Sequence, residues 1–151
     1  MSAIIALWKS LGVKWDWDFK RSETPITIGP GREHIILDTE EIEGVFFPSS
    51  AIFNSPYCGI RFKTDKYDSR YLFSAYNLYA NGAVSPNHSL YCPKFDTTNN
   101  IYVVATDGHW PFEEKFVFSL FNSGSTAAQC LSFAMWYCYA KKSDVIKALQ
   151  K

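Results

Sequence analysis

The 151-residue chain sets 15 Lys and Arg against 15 Asp and Glu, so it has no formal net charge at neutral pH. Hydrophobic residues make up 47%, aromatic residues 17% and charged residues 20%, a composition that excludes a disordered chain or a coiled coil and fits one packed domain burying about two thirds of its unfolded surface. The balanced charge leaves no cationic field for a phosphate backbone, which argues against nucleic acid as a partner.

In chain order, residues 2–12 predict a short helix. Ser2 can cap it, Ile4, Leu7, Trp8 and Leu11 form one apolar stripe, and Gly12 supplies a left-handed stop. A helix of about three turns is marginal alone, so the stripe needs a surface to cover. Residues 13–19 then alternate strictly, with Val13, Trp15, Trp17 and Phe19 on one side and charges on the other, the pattern of a half-buried strand. This alternation favours burial of Trp15 and Trp17.

From Pro25 onward, Gly, Pro, Asn and Ser clusters punctuate the chain about every ten residues. Between them lie predicted strands at 26–28, 34–37, 44–47, 59–64, 70–78, 90–93, 101–106, 115–122 and 126–140. In the last of these the odd positions (Leu131, Phe133, Met135, Tyr137, Tyr139) are large, while the even ones are mostly small, with Trp136 the exception. One face enters the core, and the other lets a further layer or another subunit approach closely. After it, Ser143 can cap a short helix with Val145, Ile146 and Leu149 as its stripe.

The expected architecture is all-β, an antiparallel β-sandwich of jelly-roll-like form with short N- and C-terminal helices. It divides into an N-terminal helix and aromatic arm (1–24), a sandwich (25–140) and a C-terminal helix (141–151). Gly44-Val45-Phe46-Phe47-Pro48 followed by the segment from Pro56 to Asp65 resembles paired strands of jelly-roll sandwiches in viral and phage structural proteins. The closing part is similar to them too: Pro111-Phe112-Glu113-Glu114 opens a strand that ends at Phe121 to Thr126, and a long strand returns through Ala127 to Tyr139. The resemblance implies a capsid, decoration or tail subunit that assembles in the host cytoplasm and resides in the virion.

The cysteines, Cys58, Cys92, Cys130 and Cys138, form no Cys-x-x-Cys pair and read as buried thiols. On one strand, Cys130 and Cys138 stand about 26 Å apart, beyond disulfide reach, while a bridge from Cys58 to Cys92 stays open. His34, His88 and His109 share no metal-binding spacing, and the acidic residues between Glu33 and Glu43 lack a calcium loop, so neither metal nor cofactor is expected. No Gly-x-Ser-x-Gly elbow or phosphate cradle occurs, and no catalytic site is assigned. The N-terminus lacks the features of a signal peptide, and no apolar window reaches the ~18–20 residues of a membrane span.

These readings make the chain a non-enzymatic structural subunit in a homo-oligomer or larger particle. Ile4, Leu7, Trp8, Leu11, Val145, Ile146 and Leu149 are its expected contacts with neighbouring copies. The alternative is a carbohydrate- or receptor-binding sandwich in which Trp15, Trp17, His109 and Trp110 meet a glycan.

Overall fold

A computed structural model of the protein describes residues 3–70 and 73–151. It is an all-β sandwich: one eight-stranded sheet faces a three-stranded one, both antiparallel, with short helices at the two ends. The order of the elements is α1 (Ala3–Leu11), β1 (Asp16–Ser22), β2 (Ile26–Ile28), β3 (Arg32–Thr39), β4 (Ile42–Phe46), β5 (Ser50–Phe53) and β6 (Cys58–Thr64). There follow α2 (Ala75–Ala80), β7 (Leu90–Asp96), β8 (Ile101–Thr106), β9 (Trp110–Phe112), β10 (Phe116–Asn122), β11 (Ala128–Lys141) and α3 (Lys142–Leu149).

The long strand foreseen near the C-terminus is the spine of the larger sheet. β1 and β2 pair along one edge of β11, β4 and β5 along the other, and the sheet continues through β8 to β7 and from β4 to β9. Its register against β5 shifts between Cys130 and Ser132. Such a bulge exchanges the two faces of a strand, and the buried residues change accordingly from Ala128 and Cys130 to Phe133, Met135 and Tyr137. These meet Phe46, Phe62, Phe116 and Phe118 in the main core between the sheets. The small sheet runs β3–β10–β6, and every residue of β10 is buried.

A second, smaller core lies on the opposite face of the large sheet. Cys138 and Ala140 of β11 are small enough for both terminal helices to land there, where Ile5, Trp8, Val13, Val45, Phe47 and Val145 close the cluster. Buried Glu43 joins the helices, accepting a 2.7 Å hydrogen bond from Trp8 Nε1 and a 3.3 Å contact from Lys142 Nζ. Helix α1 stops at Gly12, φ 70°, where bonds from Val13 N to Trp8 O and from Gly12 N to Lys9 O form a Schellman closure. Its expected cap, Ser2, lies outside the described residues.

Several expectations are corrected. Trp8 and Val145, read as contacts for a neighbouring copy, are buried in the chain's own core, and Ile4 and Leu11 pack against it. The small face of β11 admitted a layer from the same molecule. Leu7, Ile146 and Leu149 remain exposed. Within the segment read as an arm, β1 is a full strand of the larger sheet, paired with β11 from Asp16–Tyr139 to Ser22–Phe133. The strand read over 70–78 is overturned by α2, capped where Ser74 Oγ accepts from Asn77 N, while Tyr71 and Leu72 of that stretch lie outside the described residues. Two strands went unforeseen: β5, squeezed between turns, and three-residue β9.

All four cysteines are buried free thiols. Desolvation pushes Cys58 and Cys130 up to about 12, and Cys92 and Cys138 up to about 11, so the neutral thiol prevails and its reactivity is suppressed.

Candidate functional site

The outer face of the large sheet has a covered half, under the helices, and an open half. In the open half the register sets one row of side chains across five strands. Arg21 lies opposite Ala134, Ala134 opposite Ser50, Ser50 opposite Ala105, and Ala105 opposite Tyr91. Directly paired residues share a face, and four spacings of ~4.8 Å make the row about 19 Å long. Its middle is flat because Ala134, Ser50 and Ala105 are small. The next row, Ser132–Ile52–Val103, is half-buried and extends this floor.

Aromatic side chains stand around it. Phe19, opposite Trp136 in the register, is 57% exposed, Trp17 44% and Trp136 39%. Two depressions, of about 290 and 230 Å³, flank Phe19 and share Phe19, Ser50 and Ala134 as lining. Trp136, Tyr91 and Pro48 bound the first, and Arg21, Glu23 and Ser132 the second. Together they form one shallow trough.

Its upper wall is held in place. Trp136 stacks on Trp17 (5.4 Å, 24°) and on Phe47 (4.8 Å, 29°), and its Nε1 donates to Pro48 O at 2.9 Å. Next to Pro48, Ser49 N donates to Thr106 Oγ1 and Thr106 N to Ser49 O, which ties this stretch to β8. Aromatic pairs of this kind contribute about 0.5–1.5 kcal/mol each beyond burial, so the indole plane is set before any ligand arrives.

Of the residues expected to meet a ligand, three join this aromatic line. Trp15 packs edge-on against Trp17 (5.7 Å), Trp17 against Trp136, and His109 against Phe47 (4.6 Å). Trp110 does not. In β9 the alternation turns Trp110 and Phe112 inward and Pro111 outward, so the indole lies against Phe62 and Tyr67 and its Nε1 donates to Asp107 O. The expected burial of Trp17 is also corrected. The inward side of β1 belongs to Asp18, which accepts from Tyr137 Oη at 3.0 Å, and the apolar side faces outward.

Phe19, Trp136 and Tyr91 were missed as site residues. One signal was available: Trp136 is the single bulky side chain on the small-residue face of β11.

Other clusters have local roles. Arg61 makes a bidentate pair with Asp68 (3.1 Å) and reaches Glu33 (2.9 Å), which also accepts from Ser119 Oγ, bracing the small sheet. Another depression, of about 880 Å³, intermixes Glu40, Glu41 and Glu114 with Lys115, Lys141 and Lys142 and has no aromatic lining. Among the described residues no group of three His, Cys, Asp or Glu could hold a metal ion, and no helix is long and apolar enough to cross a membrane.

Fold and trough together define an all-β sandwich with a pre-formed aromatic surface on its outer face. No family model and no curated protein sequence matches the chain.

Proposed function

We propose that the protein is a carbohydrate-binding sandwich module that acts by recognition and carries out no reaction. The observation behind this reading is the exposed Phe19 ring between two joined depressions, with Trp136 above and small residues below. A pyranose ring presents apolar C–H groups on its faces and hydroxyls at its edge. Aromatic walls suit the faces; the hydroxyls of Ser50 and Tyr91 and the charged ends of Arg21 and Glu23 suit the edge. The small size of each depression also suits single rings better than the ~800 Å² that a stable protein partner covers.

Screening the purified protein on a glycan array, beside Phe19→Ala and Trp136→Ala, tests the reading. Binding that each substitution weakens about tenfold, in variants that remain folded, supports it. Binding indifferent to both overturns it.

A second reading, a virion structural subunit of the jelly-roll type in a homo-oligomer or particle, draws on a different feature. Leu7, Ile146 and Leu149 keep apolar side chains in solvent on the two terminal helices. A concentration-dependent oligomer that Leu7→Ser or Leu149→Ser dissociates supports this reading, and a monomer at millimolar concentration overturns it.

A further inference from the structure

Resting on the carbohydrate reading, we infer that the trough takes a neutral chain of pyranose rings laid across the strands. Three observations carry this. The first is length: the row from Arg21 to Tyr91 extends about 19 Å over five strands, which accommodates several linked rings.

The second is openness. Among the described residues no strand lies beyond β1, whereas the segment at Ala83 flanks β7, with Cys92 N donating to Ala83 O. The row therefore opens to solvent at the β1 edge, where Arg21 and Glu23 are exposed, and a bound chain can continue past that edge. The flat floor of Ala134, Ser50 and Ala105 accepts rings lying face-down.

The third is charge. At the β1 edge Arg21 is accompanied by Glu23, and at the β7 edge the outward Lys94 is accompanied by Asp96. Each edge is balanced, so the trough offers no net field to a polyanion, and charge complementarity selects an uncharged chain. Arg21, Glu23 and Lys94 form no ion pair among the described residues, which leaves their polar ends available to hydroxyl groups.

The test is calorimetric titration with β-linked glucose, mannose, xylose and N-acetylglucosamine oligosaccharides of one to six rings, with polygalacturonate as the charged comparison. The expected result is one neutral series whose affinity rises about tenfold or more from one ring to four and then levels off. Ala134→Gln, which raises the floor, should lower it about tenfold. A single ring that binds as tightly as four overturns the chain inference while the carbohydrate reading survives. Tighter binding of polygalacturonate overturns the neutral assignment. If no series binds while the glycan array registers binding, this inference fails and the carbohydrate reading survives; silence in both overturns both.

Discussion

The covered and open halves of one sheet face make the same choice of floor and reach different ends. Beneath the helices, Cys138 and Ala140 are small and Trp8 fills the space above them. In the trough, Ala134, Ser50 and Ala105 are equally small, yet the aromatic side chains stand at the margin and the space stays open. Small residues on a sheet face thus announce a close approach without saying by what. A helix tethered to the same chain occupies one half. The other half has rigid walls and polar edges, which suit a ligand that comes and goes.

The largest effect is expected at Trp8. Trp8→Ala removes a fully buried indole and one hydrogen bond to Glu43, and chemical denaturation should show a loss of about 3–5 kcal/mol. Glycan affinity should fall less than in Phe19→Ala, because Trp8 reaches the trough only through Trp15 and Trp17, and a matching loss of affinity would show that the two halves are not separable. Phe19→Ala is the converse. A side chain 57% exposed should cost less than about 1 kcal/mol of stability, while affinity for the best oligosaccharide falls about tenfold, or ~1.4 kcal/mol.

Glu43→Gln probes the ionic contact in the covered half. It keeps an acceptor for Trp8 and removes the ionic partner of Lys142, so a loss of about 1 kcal/mol is expected at neutral pH by urea titration. The smallest effect is on the small sheet, remote from both halves. The hydrogen bonds from Arg61 hold the Asp68 carboxyl below its ordinary range. A carboxylate depressed in the folded state contributes stability that is fully present above its unfolded value of ~3.9 and lost as pH falls through the folded value. The stability advantage of the native protein over Asp68→Asn should therefore be constant near pH 6 and shrink as pH falls below about 4.

Much of the fold was legible before the structure. Turn residues and alternation located β2, β6, β8, β10 and β11 to within about two residues, because a period of two and a Gly or Pro stop are local properties. The terminal helices were legible from their apolar stripes, although α3 begins at Lys142 after Lys141, with no side-chain cap, and Ser143, expected to cap it, lies inside the helix. α2 was not: the stretch from Arg70 to Leu78 is rich in residues that favour strands, and the cap at Ser74 outweighed them. Half of the aromatic line was visible as Trp15, Trp17 and His109, while Phe19 and Trp136 acquired their role from pairing residues far apart in the chain.

The sequence by itself determined the all-β class, the positions of turns, and the fact that β1 and β11 each have one apolar or bulky face and one different face. Only the tertiary structure decided which way those faces turn. It sent Phe133, Met135 and Tyr137 into the sandwich, turned Trp17 and Phe19 away from it, and used Trp8 and Val145 inside the chain. The physical reason is that alternation states that two sides differ, whereas the cover for either side comes from elements distant in sequence and from the bulge in β11, which exchanges its faces partway along.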